Sequence, residues 1–138
     1  GMCETLSRCI SQHSMEHAVS AYYPEVAHGA GLTMLSVSYF TYLAERNPAR
    51  FGELARAMGE DMDGLSEKDS AMAFIAGLKK LIRNAGLEAE KLAEFGIQRD
   101  DLKTFAENSF YAMGSLFDIT PVRLTPDDVL AIYENAYA

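Results

Sequence analysis

The sequence predicts an all-α fold, a single bundle of about seven helices. Three observations carry that prediction. Apolar residues recur at helical steps almost throughout the chain. No stretch shows the sustained apolar–polar alternation of a half-buried strand. Strong local signals punctuate the pattern at Asn47-Pro48, at Gly86 and at Thr125-Pro126-Asp127-Asp128.

A first helix is expected from about Glu4 to Tyr22. It stops before Pro24, because the residue ahead of a proline avoids the α region. A second runs from His28 to about Arg46. Asn47-Pro48 breaks the chain and opens a third, which reaches about Met58 and ends at Gly59. The acids of the stretch from Glu60 to Asp69 read as a solvated loop with little to recommend it as a calcium site.

A fourth helix, Glu67 to Asn84, places Ala71, Phe74, Ile75, Leu78, Leu81 and Ile82 on one stripe. Lys79, Lys80 and Arg83 complement the dipole of its last turns, and Gly86 caps it. A short helix is expected over Glu88 to Glu94 and a longer one over Arg99 to Met113. The final helix begins with Thr125 as N-cap, Pro126 in the first turn and two acids behind it. It carries Val129, Ile132, Tyr133 and Ala136 to the end.

The chain has 138 residues, 49% of them apolar, so one domain with its own core is expected. Gly1-Met2 reads as a tag remnant and start methionine, leaving 3–138 as the domain. The formal charge of −8, with no basic stripe, makes nucleic acid an unfavourable partner. Cys3 and Cys9 fall on different faces of the expected first helix, which argues against a disulfide and for a reducing compartment. No apolar run is long enough for a membrane span, and no secretory leader pattern opens the sequence, so the cytoplasm is the expected location. The seven methionines scatter along helical faces as core fillers, and Tyr22 and Tyr23 are expected to pack at a helix end.

All three histidines, His13, His17 and His28, fall in one short segment. On the expected first helix His13 and His17 continue the steps of Cys3, Leu6 and Ile10, so both imidazoles are expected to point inward. His28 opens the next helix. The free N–H groups there disfavour imidazolium and keep the ring neutral, as a metal ligand must be. Gly29 and Gly31 flank it and allow close backbone approach. A turn from Tyr22 to Ala27 can fold the second helix back and carry His28 toward His13. Two donors on facing helices make half of a metal site.

"HSMEH", residues 13 to 17, also matches the H-x-x-E-H pattern of inverted zinc proteases, in which the Glu is a base. Glu88, Glu90 and Glu94 lie at a distance suited to a third ligand. Against this stand the shortness of the pattern and the absence of strands in the reading.

The longer string "HSMEHAVSAYYPEVAHGAGLTML", residues 13 to 35, resembles the metal-binding segment of the iron-containing (group III) alcohol dehydrogenases. That family shows H-x-x-x-H, a small-residue helix end, an aromatic, and then His-Gly. "FGI" at 95 to 97 and "RLTPDDVLAIYENAY" at 123 to 137 extend the likeness over essentially the whole chain. The resemblance implies the helical C-terminal half of the dehydroquinate synthase-like fold. It implies His13 and His28 as ligands of a divalent metal, iron or zinc, and His17 as the catalytic residue of the substrate pocket. It further implies a small alcohol or aldehyde substrate, and NAD or NADP bound by an N-terminal α/β half.

Two departures from the family pattern matter. His13 to His28 is one residue longer than the commonest spacing, with the extra residue in the turn around Pro24 and Glu25. The glycine-rich phosphate loop and the D-x-x-x-H ligands of the family are not in this sequence. With two neutral ligands only, metal binding by the chain is expected to be weak or nil, and the chain alone is expected to be inactive as a dehydrogenase. The face that would meet the N-terminal half is expected to be apolar around the imidazoles, favouring a homo-oligomer or a separate N-terminal partner. A stand-alone helical interaction module without catalysis is the alternative of the same fold.

Overall fold

The structure is a computed structural model and describes residues 7–87 and 91–138. Among the described residues there are seven α-helices and two 3-10 turns, and no strand. The helices are α1 (Ser11–Tyr22), α2 (His28–Arg46), α3 (Pro48–Ala57), α4 (Glu67–Asn84), α5 (Leu102–Met113), α6 (Ser115–Asp118) and α7 (Pro126–Tyr137). The 3-10 turns are Leu92–Phe95 and Arg99–Asp101. α1 packs against α2 and α5, α2 against α4 and α7, and α3 against α4.

The boundaries written in local chemistry hold. Pro48 opens α3, and Gly59 and Gly86 follow α3 and α4 with φ of 83° and 73°, the left-handed region that glycine enters without strain. Ser66 caps α4 by accepting from the Asp69 N–H at 3.2 Å. Leu81, assigned by spacing to the buried stripe of α4, is 57% exposed; the buried surface follows Ala71, Phe74, Ile75 and Ile82 instead. The short helix expected over Glu88 to Glu94 is a 3-10 turn at Leu92–Phe95, and its expected start lies outside the described residues. α5 is preceded by the Arg99–Asp101 turn, and α6 follows it directly because Gly114 stays in the right-handed helical region.

The first helix departs most from expectation. Ser7 to Ile10 are not helical, and α1 starts at Ser11 after an extended Ile10. Cys3 and Leu6, which suggested a longer stripe, lie outside the described residues. Its buried face is partly polar: Ser11, Gln12, Ser14 and Glu16 join Met15, Ala18 and Val19. Burying polar groups is tolerable only with partners, and each has one. The Ser11 hydroxyl meets the Tyr39 hydroxyl at 2.8 Å, and the Ser11 N–H donates to Thr120 Oγ1 at 3.1 Å. Gln12 Nε2 donates to the Leu32 carbonyl at 2.9 Å and to Ser36 Oγ at 2.8 Å. Ser14 Oγ donates to the Ser109 carbonyl at 2.5 Å.

α7 packs against α2 and α5. Val129, Ile132 and Tyr133 are fully buried, and the Tyr133 hydroxyl donates to the Met15 carbonyl at 2.7 Å. Burial, reinforced by the nearby charge of Glu16, pushes the Tyr133 phenol well above its ordinary pKa.

The start of α7 is a reciprocal capping box. Thr125 Oγ1 accepts from the Asp128 N–H at 3.3 Å, and Asp128 Oδ2 accepts from the Thr125 N–H at 2.8 Å. Tyr42 of α2 donates to the other Asp128 oxygen. Partial burial pulls the Asp128 carboxyl upward, but the hydrogen bonds from Tyr42 and Thr125 outweigh it and hold it below its usual value. A carboxyl with a depressed folded-state pKa stabilises above its unfolded pKa, and that stabilisation is lost as pH falls through the folded value. Asp128→Asn is therefore expected to cost about 1 kcal/mol near neutral pH. The difference from the parent should shrink steadily below about pH 4. Urea unfolding across a pH series checks this, and a gap that does not change with pH would contradict it.

Candidate metal centre

The turn after α1 brings the start of α2 back beside the first turns of α1. The three imidazoles meet there: ring centroids are 5.1 Å apart for His13 and His28, 5.3 Å for His17 and His28, and 6.2 Å for His13 and His17. Their orientation corrects the sequence reading. His17 is exposed, the His28 side chain is 48% exposed and His13 is half-buried. The imidazoles therefore form an open cluster on the surface and do not continue the core stripe. The reason is the register of α1, whose inward arc is taken by the hydrogen-bonded polar residues described above.

Behind the cluster lies a residue whose role sequence spacing did not reveal. Glu16 is fully buried, and one of its oxygens meets His28 Nδ1. The other accepts from Ser20 Oγ at 2.5 Å. Gly31 faces it across the helix pair: a Cβ there would stand 2.8 Å from Glu16 Oε1 and 2.9 Å from Glu16 Cγ. Gly29, by contrast, has open space around it. The signal in the sequence was the Glu of H-x-x-E-H together with a glycine one turn into α2, but neither names the other as its partner.

Donor atoms of Glu16, His17 and His28 lie within 4.8 Å of one another. That set differs from the pair His13 and His28 implied by family resemblance. Both Glu16 oxygens already serve protein partners in a buried setting, so a metal there would share the carboxylate with Ser20 and His28. The donor chemistry suits a divalent transition metal, for which neutral imidazole is a common ligand.

The other candidates fall elsewhere. Glu94 caps the 3-10 turn by accepting from the Lys91 N–H at 2.8 Å, and Glu88 and Glu90 lie outside the described residues. Tyr22 and Tyr23 pack on Phe105 at ring distances of 5.5 Å and 6.0 Å. Among exposed large apolar side chains, α1 and α2 contribute Tyr22 alone, so the apolar face expected around the imidazoles is narrow. A cavity of about 690 Å³ lies between α2, α4 and α7, lined by Met34, Tyr42, Lys79 and Ile82 among others, and no imidazole lines it. Among the described residues no helix is long and apolar enough to cross a membrane.

The fold is that of an all-helical domain with three imidazoles from two facing helices gathered at an open surface. The profile described as "Fe-containing alcohol dehydrogenase family, C-terminal" matches residues 4–137. This chain belongs to that family, as its C-terminal part. It is 28% identical over 125 residues to the 1,3-propanediol dehydrogenase of Klebsiella pneumoniae, covering 91% of this chain and 31% of that protein. It is 29% identical over 126 residues to the NAD-dependent methanol dehydrogenase of Bacillus methanolicus, covering 90% and 32%. The solved alcohol dehydrogenase from Oenococcus oeni superposes with a TM-score of 0.87 at 31% identity, covering 99% of this chain and 35% of that one. The chain thus spans about a third of the length of these relatives.

Proposed function

We infer that this chain supplies the metal-holding and pocket imidazoles of an alcohol dehydrogenase-type oxidoreductase. In this reading His13 and His28 hold a divalent metal, and His17 stands in the substrate pocket, where it hydrogen-bonds near the alcohol and relays a proton. Bound there, a divalent metal would supply Lewis-acid polarisation of an alcohol oxygen. NAD or NADP, the hydride acceptor, is held by an α/β domain outside this chain. The single observation that carries the reading is the approach of three imidazoles at an exposed junction of α1 and α2, with His13 and His28 only 5.1 Å apart. Supporting it are family membership and relatives that are themselves NAD-dependent or diol-oxidising dehydrogenases.

Two consequences follow for the chain by itself. Two neutral donors hold a divalent ion weakly, so binding is expected only at high metal concentration, in a titration carried toward millimolar cobalt. With no hydride acceptor bound, purified protein mixed with NAD or NADP, ferrous or zinc ion and butanol is expected to show no turnover. Adding a dinucleotide-binding domain from a relative is expected to restore metal-dependent oxidation. Clear turnover by the chain alone would overturn the division of labour proposed here.

A further inference from the structure

Glu16 has no part in the reading above, yet it is the only Asp, Glu, Lys or Arg side chain fully buried among the described residues. A buried carboxylate is costly unless each oxygen finds a donor. Here each oxygen has a partner: one accepts from the Ser20 hydroxyl and the other meets His28 Nδ1. The site is also built around it, because any side chain at position 31 would meet the Glu16 carboxylate and its Cγ at under 3 Å.

We propose that Glu16 is a positioning residue that fixes the ring of His28 and selects which of its nitrogens can bind a metal. An ionised carboxylate only accepts hydrogen bonds, so the nitrogen against it must carry the proton. That proton sits on Nδ1, which leaves the lone pair of the neutral ring on Nε2. Metal-binding histidines are commonly held this way, with the second N–H donated to a carboxylate that orients the ring and raises its basicity. Glu16 does so from inside the core, where it cannot swing away: Ser20 holds one oxygen and α2 closes over it at Gly31. Glu16 touches neither metal nor substrate in this arrangement.

The metal part of the proposal rests on the functional reading; the tautomer part does not, and the test keeps them apart. Two-bond proton–nitrogen correlation on the metal-free 138-residue chain, at about pH 8.5 where imidazole is ordinarily neutral, reports which nitrogen of His28 carries the proton. The Nδ1–H form is expected in the parent and in Glu16→Gln, whose amide oxygen accepts the same proton. Glu16→Ala is expected to lose that preference and to weaken cobalt binding by about 10–100-fold, with Gln losing much less. Gly31→Ala, which keeps every donor but crowds the carboxylate, is expected to shift the tautomer in the same direction.

A parent His28 in the Nε2–H form would overturn the proposal. So would Ala and Gln variants that lose cobalt equally, since that pattern marks Glu16 as a ligand. If Glu16→Ala does not fold, the parent, Gln and Gly31 measurements still decide the matter. A parent with the expected tautomer but no cobalt binding in a titration carried past millimolar metal upholds the positioning role and overturns the assignment of His13 and His28 as metal ligands.

Discussion

Phe105→Ala is expected to destabilise the domain by about 3–5 kcal/mol, the range for truncating a fully buried phenylalanine. Phe105 has no exposed surface. Its ring meets Tyr133 of α7 at 5.8 Å, and Tyr22 and Tyr23 at the end of α1 at 5.5 Å and 6.0 Å. Truncation removes the burial of the ring, leaves a cavity walled by three tyrosines, and removes edge and tilted contacts that add to burial. The Tyr133 hydroxyl is tied to the Met15 carbonyl, so that wall cannot collapse inward without breaking a buried hydrogen bond. The loss is a large fraction of the 5–15 kcal/mol typical of a folded domain. Urea unfolding should show a lower midpoint with little change in slope. Phe105→Leu should cost much less, and a loss below about 1 kcal/mol for Ala would mean the site collapses freely around the gap.

The parts of this fold that sequence reveals are those decided within a few residues. Pro48, Gly59, Gly86 and the Thr125–Asp128 box act on their own backbone, and each marks an observed boundary. The start of α1 is different. Ser11 is held by Thr120, 109 residues away, and Ser14 by Ser109, 95 residues away. Such partners turn a polar arc inward, which inverts the inference from apolar spacing and sends the imidazoles to the surface. The same nonlocality hides Glu16, whose burial depends on Gly31 and His28 across a turn. Gly114 acts locally too: its missing Cβ makes room for the Phe110 carbonyl, which a Cβ would approach to 2.5 Å, and α6 continues from it. What the histidine pattern did carry was their company. A step of four along one helix sets His13 beside His17, and the turn that follows carries His28 back to both.

Removing each imidazole in turn is expected to separate the two donor sets this surface offers. If His13 and His28 hold the metal, His13→Ala and His28→Ala each remove a ligand. Each should weaken cobalt binding by at least the roughly 10–100-fold that loss of a supporting group costs. His17→Ala should then leave binding within about twofold, while abolishing turnover once a dinucleotide domain is supplied, because its proposed work is on the substrate. The set formed by Glu16, His17 and His28 predicts the reverse for two positions: His17→Ala destroys binding and His13→Ala spares it. The geometry alone leaves both sets within reach, since the ring of His28 lies 5.1 Å from His13 and 5.3 Å from His17. The second set would draw on Glu16, whose oxygens already accept from Ser20 and meet His28 Nδ1, so a metal there would share that carboxylate with its protein partners. Cobalt absorption spectra of the three variants decide between them, and a strong loss confined to His17→Ala and His28→Ala would reassign the centre.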